Sequence, residues 1–176
     1  MHTTPRLRLL RPESRHAEAI YASASDPDVT RWVGWPRHRS MEDTASFLAF
    51  SDAEWQRAAA GPLVIEDRET GEFVGTTGLS FEASSIASTG YVIRREAWGQ
   101  GYATEALLGV IELADPLEVV RLSALCHPGH RASARVLEKA GFELEGVLRR
   151  STLFPNLEPD TLSDACLYAR ILADRG

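Results

Sequence analysis

The stretch TGYVIRREAWGQGYATEA, running from Thr89 to Ala106, decides how the rest of the chain is read. Tyr91 to Arg94 has the apolar and β-branched character of a strand, and a turn containing Gly99, Gln100 and Gly101 follows it. Ala103, Ala106, Leu107, Val110, Ile111 and Ala114 then recur three and four positions apart, which gives a helix one apolar face. The order is strand, glycine loop, helix. Glycine turns sharply and leaves backbone N–H groups uncovered, while the first turn of a helix adds unsatisfied donors and the positive end of the dipole. Such a corner is a cradle for phosphate.

Downstream, Val119 to Cys126 alternates and puts Val120, Leu122, Ala124 and Cys126 on one face, so strand, helix and strand form a βαβ unit with parallel strands. His127-Pro-Gly129 breaks the strand, a helix follows from about Arg131 to Ala140, and Gly141 stands where a left-handed stop is needed, with Phe142 to staple the end. Glu145 to Phe154 and Leu162 to Ile171 read as two last strands, a hairpin across Pro155 to Pro159 that closes the sheet.

Upstream, Arg6 to Arg11 alternates arginine and leucine as a strand with one wet face does, and Ser14 is placed to cap a short helix through Tyr21 and Ala24. A breaker-rich loop, Ser25 to Asp28 and on to Gly34 and Pro36, carries Trp32 and Trp35, two indoles that either line a substrate pocket or lid the core. Ser40 with Glu42 and Asp43 opens a second helix that runs to Ala60 and stops at Gly61-Pro62. Leu63 to Glu66 and Glu72 to Phe81 are strands joined by a turn over Asp67 to Gly71. The fold class expected is mixed α/β, a mostly antiparallel central sheet with one parallel βαβ pair, flanked by helices.

A chain of 176 residues fits one domain over residues 1–176, and it shows no repeat, linker or low-complexity tract. A net charge of -6 argues against a nucleic-acid partner and favours cationic substrates. No stretch reaches the length of a membrane span, and the first residues lack the build of a signal peptide, so a soluble cytoplasmic protein is expected. Cys126 and Cys166 each sit in apolar alternating segments and read as buried thiols rather than as a disulfide or zinc site.

The order of elements and the local motifs resemble the GCN5-related N-acetyltransferases (GNAT), and among them the RimJ/RimL-type branch, over nearly the whole chain. Ser25-Asp-Pro-Asp28 with Trp32, Pro36, Ser40 and Glu42 resembles that branch's early loop. Gly90-Tyr91 with Trp98-Gly-Gln-Gly-Tyr-Ala-Thr-Glu-Ala106 resembles its acetyl-CoA motif, and Leu137 to Phe142, Glu145-Gly146 and Arg149 its C-terminal signature. The resemblance implies the acyltransferase fold, acetyl-CoA as co-substrate without a metal, and an amine acceptor, either a peptide N-terminus or a small molecule. It also implies site residues: main chain at Val92, Ile93 and Arg94 for the pantetheine arm; Gly99, Gln100, Gly101, Tyr102, Ala103 and Thr104 for the pyrophosphate. Apart from the resemblance, if the two indoles line a pocket rather than lid the core, Trp32 and Trp35 would face the acceptor. A homodimer is common in such folds. The chain departs from the pattern at Glu96, where Gln or Arg is usual, at Ser88, where an acidic residue often stands, and at His130, which replaces an Asn that helps hold the pantetheine end.

Acetyl transfer to an amine needs a neutral amine, a polarised thioester carbonyl and a proton for the departing thiolate. Ser133, on one helical face with Val136, Leu137 and Ala140, is the candidate proton donor, unless it merely bonds backbone in the first turn. Glu82 at a strand end is the candidate base, with Asp164 in reserve; a water chain is the alternative to both, and an N–H near Ile93 the candidate carbonyl donor. His127 and His130, in a breaker-rich loop, read as surface residues or as further proton carriers. The competing class is a non-catalytic acyl-CoA-binding module, suggested by Ser88 and His130.

Overall fold

The computed structural model describes residues 1–172. Its strands are β1 (His2–Thr3), β2 (Leu7–Leu10), β3 (Pro62–Asp67), β4 (Phe73–Ala83), β5 (Ile86–Ile93), β6 (Arg121–Cys126), β7 (Glu143–Leu153) and β8 (Leu162–Ile171). Its helices are α1 (Ala17–Ala24), α2 (Pro27–Thr30), α3 (Met41–Ala58), α4 (Tyr102–Ala114) and α5 (Arg131–Lys139). The strands form one sheet in the order β1-β2-β3-β4-β5-β6-β8-β7. Every pairing is antiparallel except β5 with β6.

That parallel pair is short. Ile86 pairs with Arg121, Ala87 with Leu122 and Ser88 with Ser123, and there the pairing stops. Beyond Ser88, β5 stays with β4 as far as Ile93, while β6 follows β8 to Cys126. Each strand is held by its outer neighbour, so the two diverge and the sheet opens as a fork.

Period-2 alternation decides which face each helix covers. Leu7, Leu9, Leu63, Ile65 and Leu122 join one buried cluster with Leu107, Val110 and Ala114 of α4, Leu137 of α5 and Ala140 just after it. Val64 therefore points to the other face, where Ile20 and Ala24 of α1 and Val29 of α2 are buried apart from that cluster. The fork thus has α4 and α5 on one side and α1 to α3 on the other.

Three local expectations shift. Ser14 does not cap the first helix; the Nδ1 of His16 accepts the Glu13 N–H at 2.8 Å, and its Nε2 then donates to the buried carboxylate of Glu66 at 3.2 Å. The early loop contains α2, because Asp26 accepts N–H bonds from Asp28 and Val29 just before Pro27, the residue best suited to the first helical position. Helix α3 starts at Ser40 as expected but ends at Ala59, which takes the left-handed conformation (φ 51°) ahead of Gly61. Gly61 instead makes room for Trp55, whose ring a Cβ there would meet at 3.1 Å and whose Nε1–H donates to Pro62 O at 2.8 Å.

The start of α4 is strapped to the far edge of the sheet. The Glu105 carboxylate accepts Thr4 Oγ1–H (2.6 Å), Arg6 N–H (2.7 Å) and Arg6 Nε–H (2.6 Å). Arg6 reaches on to Gln100 O at 3.1 Å and covers the Tyr102 ring at 4.5 Å. Burial alone would raise the Glu105 carboxyl, but these donors outweigh it and hold the group below the usual carboxylate range. A depressed folded pKa means that this stabilisation is complete above the unfolded value and is lost as pH falls through the folded one. Glu105→Gln should cost about 2 kcal/mol at pH 7 in urea unfolding. Its deficit against wild type should shrink steadily below about pH 4.

Gly75 tests the β4–β5 pairing that forms one arm of the fork. A Cβ there would lie 2.1 Å from Val92 O, whereas one at Gly90 meets nothing within 4 Å. Gly75→Ala should destabilise by about 2–3 kcal/mol and Gly90→Ala by less than about 1 kcal/mol, both read from denaturant midpoints.

Candidate active site

The fork opens a cleft of about 1640 Å³ between the diverging strands. One end is lined by Trp98, Gly99, Gly101 and Thr104 before and within α4, with Ser133, Arg135 and Lys139 of α5; the other by Trp32, Trp35, His38, Phe47 and Phe154. The two ends lie on opposite faces of the sheet, so the cleft passes through it.

Strand β5 forms one wall and offers its main chain. The Arg94 N–H donates to Val74 O across the β4 pairing at 2.9 Å, and Gly90 O, turned to the same side, accepts the Thr77 hydroxyl at 2.8 Å. Alternation by two puts the Val92 groups on that side as well and leaves the N–H and C=O groups of Tyr91 and Ile93 facing the gap, where β6 no longer pairs. The Ile93 carbonyl takes the Trp98 indole N–H at 2.7 Å; its N–H faces the gap.

The wall ends in the glycine loop. Gly99 (φ 75°) and Gly101 (φ 82°) occupy the left-handed region, which a side chain disfavours, and a Cβ at Gly99 would stand in open space. Gly101 is the N-cap of α4, and no side chain caps this helix. The first-turn N–H groups of Tyr102, Ala103 and Thr104 therefore keep their donor capacity, at the positive end of a helix of 13 residues. An anionic group fits this cradle.

Across the gap, α5 meets β5 through one pair of hydroxyls. Tyr91 Oη lies 2.9 Å from Ser133 Oγ and 3.2 Å from Ser133 O. Burial pushes the Tyr91 hydroxyl up to about 12, against the lowering effect of the Ser133 bond, so it holds its proton at neutral pH. Cys126, on the cleft floor, is pushed up to about 11 by burial and by neighbouring Cys166. It is a thiol, not a nucleophilic thiolate.

At the far end His130 stacks on Trp32 with ring centroids 5.5 Å apart, and His127 lies between Trp32 (4.8 Å) and Phe154 (5.0 Å). Burial, and secondly the charge of His127, keep the His130 imidazole below its ordinary pKa, which favours the neutral ring. Asn156 holds the tryptophan loop in place: its Nδ2 donates to Thr30 O (2.8 Å) and Trp35 O (2.9 Å), and its Oδ1 accepts Arg37 N–H (2.9 Å). Arg95, just before the glycine loop, clasps α2 through Asp26 (2.9 Å) and Asp28 (3.0 Å). The two ends of the cleft are thereby tied together.

Most residues expected from the sequence meet here. Val92, Ile93, Gly99, Gly101, Tyr102, Ala103, Thr104, His130, Ser133, Trp32 and Trp35 all line the cleft. Gln100 does not; its carbonyl serves Arg6 and its side chain bonds Glu96 O. Arg94 turns away to Glu72 at 2.9 Å. Glu82 also falls outside: it is exposed at the β4–β5 turn, at the closed end of the fork, where its charge acts on Arg121. Asp164 is exposed on β8 and accepts the Arg150 N–H at 2.9 Å. Sequence reasoning passed over Tyr91 as a hydroxyl, His38, Phe154 and Asn156. For Tyr91 the signal was present, since it and Ser133 belong to the two elements that flank the gap; for Asn156 there was none.

Residues 6–143 match the family model described as acetyltransferase (GNAT) domain. An uncharacterized N-acetyltransferase of Bacillus subtilis, YoaA, is 35% identical over 150 residues, covering 84% of this chain and 85% of that protein. Among solved structures, the microcin C7 self-immunity acetyltransferase MccE, in complex with acetyl-CoA and AMP, superposes with a TM-score of 0.83 at 23% identity over 96% of this chain and 94% of that one. RimL, the ribosomal L7/L12 α-N-protein acetyltransferase in complex with coenzyme A, gives a TM-score of 0.84 at 21% identity over 96% of each chain. The forked sheet, the glycine cradle at the end of β5 and the matching family model agree: the chain belongs to the GNAT acetyltransferase family.

Proposed function

We propose that this chain transfers the acetyl group of acetyl-CoA to a primary amine by direct attack of the amine on the thioester. The observation that carries the reading is that the gap-facing N–H groups of β5, the glycine loop and the uncapped first turn of α4 all border one cleft. The Tyr91 and Ile93 main chain would hold the pantetheine arm, and Gly99, Gly101 and the N–H groups of Tyr102 to Thr104 would hold the pyrophosphate. Arg135 and Lys139 line the same end and make no ion pair among the described residues, which suits a ligand rich in phosphate. The complexes of MccE with acetyl-CoA and of RimL with coenzyme A support the same ligand. Bound acetyl-CoA supplies the activated acyl carbon and a thiolate leaving group.

The chain's own groups then divide the work. The Ile93 N–H faces the gap and polarises the carbonyl. Ser133 Oγ, fixed by the protonated Tyr91 hydroxyl, gives its proton to the departing sulfur as Tyr91 passes its own to Oγ, and the strongly basic phenolate so formed regains a proton from solvent in the open cleft. The three carboxylates lining the cleft are all committed: Asp28 to Arg95, Asp43 to the N–H groups of Arg39 and Ser40, and Glu54 to Arg57. Of the two imidazoles that line the cleft, His38 is tied through Nδ1 to Thr44 Oγ1 at 2.9 Å, and His130, which burial keeps towards the neutral form, is assigned to take the amine's proton, directly or through water.

Incubation with acetyl-CoA and a panel of amines should release free CoA; tight CoA binding with no release from any amine sinks the reading. Ser133→Ala should lower kcat by about 10²-fold while the KM for acetyl-CoA stays within about threefold. For His130→Gln the quantity to follow is the ratio of wild-type to variant kcat/KM against pH. The base works only when unprotonated, and its pKa is lowered. The ratio should therefore hold steady through neutral pH and fall towards one only below the ordinary imidazole value of about 6.5.

A further inference from the structure

The loop at the acceptor end of the cleft is basic, although the whole protein is acidic. Between α2 and α3 the chain reads RWVGWPRHR, Arg31 to Arg39, with three arginines and no acid. Arg37 and Arg39 line the cleft. Their backbones are fixed, the Arg37 N–H on Asn156 Oδ1 (2.9 Å) and the Arg39 N–H on Asp43 Oδ2 (2.7 Å). Their guanidinium groups are exposed and make no ion pair among the described residues, although Arg39 acts on Asp43 through space. Arg31 lies over the Trp32 ring at 5.1 Å. The acids that line the cleft are already engaged by Arg95, by backbone N–H groups and by Arg57. Beside the arginines runs an aromatic wall, with Trp35 against His38 at 5.6 Å, His38 against Phe47 at 6.4 Å, and Phe50 half exposed.

Which charge decides selection depends on distance. The net charge of -6 is spread over the surface, and at physiological salt its effect fades within about 8 Å. An acceptor in the cleft instead lies beside Arg37 and Arg39, and within reach of their guanidinium groups a cationic group is repelled and a carboxylate or phosphate finds fork-shaped donors. We infer that the acceptor is an amine that also carries a carboxylate or phosphate next to an aromatic or apolar group, and that Arg37 and Arg39 select it. This rests on the transferase reading and reverses the preference for cationic substrates drawn from net charge.

The test uses acceptors that share one ring and one primary amine: tyramine, tyrosinamide, tyrosine and O-phosphotyrosine, with spermidine as a polycation. Tyrosinamide has the least basic amine and no negative group, so amine basicity and charge order the series differently. CoA release at saturating acetyl-CoA should show kcat/KM higher by about tenfold or more for tyrosine or phosphotyrosine than for tyrosinamide, tyramine and spermidine. Arg37→Gln with Arg39→Gln should abolish that preference, with the KM for acetyl-CoA within about twofold. The tripeptides Tyr-Glu-Glu and Tyr-Lys-Lys locate the anion: Tyr-Glu-Glu exceeding tyrosine assigns it to a peptide, the reverse to a small molecule, and Tyr-Lys-Lys exceeding Tyr-Glu-Glu overturns the inference. Equal or better turnover of the uncharged or cationic members, or a preference that survives in the double variant, also overturns it and leaves the transferase reading standing. Calorimetric titration of phosphotyrosine in excess CoA decides independently of turnover. Binding should weaken by about tenfold in the double variant, and unchanged binding overturns the inference.

Discussion

The constraint on which the rest depends is the early end of one strand pairing. β5 and β6 share three residue pairs, Ile86 to Ser88 against Arg121 to Ser123, and then separate. An edge of backbone donors and acceptors inside a domain must find partners, because buried and unpaired peptide groups are costly. Here the edge faces a cleft, so a ligand with amide groups of its own can complete the sheet. The glycine loop follows directly because β5 runs towards the open end, and the donors of α4 face the same gap. Fold and ligand site are one feature.

Around the fork, polar clasps fix the pieces that hydrophobic packing leaves loose. Glu105 anchors the start of α4 to Thr4 and Arg6 at the opposite edge of the sheet, and Arg95 ties the approach to the glycine loop to α2. Asn156 bridges the β7–β8 connection to the tryptophan loop through three hydrogen bonds to backbone. Bonds of this kind add modest stability each, but they set the relative position of the cofactor end and the acceptor end, which is what proximity in catalysis requires.

Much of this was legible in the sequence, for identifiable reasons. Arg6 to Arg11, Asp67 to Gly71 and the face of α4 carry period-2, turn and period-3.6 signals that come from local sterics, and Gly99, Gly101 and Gly141 mark left-handed backbone. What failed depends on pairing at long range. The final hairpin does not say which of its strands meets β6, and β8 takes that place rather than β7. Glu82 was expected near the chemistry as a residue at a strand end, but it is at the wrong end. β5 is 8 residues long, so the β4–β5 turn and the glycine loop are about 26 Å apart. Net charge is blind to such placement: Asp43 and Glu54 are engaged locally, by the Arg39 and Ser40 N–H groups and by Arg57, but the Arg95–Asp28 pair and the position of Arg37 and Arg39 beside the cleft appear only in the folded chain.

The central claim is that the unpaired edge of β5 and the first turn of α4 hold one ligand. Amide hydrogen exchange, resolved by residue and measured with and without saturating acetyl-CoA, tests it most directly. The N–H groups of Ile93 and of Tyr102, Ala103 and Thr104 should slow together when acetyl-CoA binds, while Val92 and Arg94, already paired with β4, should change little. Acetyl-CoA binding that leaves Ile93 and the α4 amides unprotected would contradict the account.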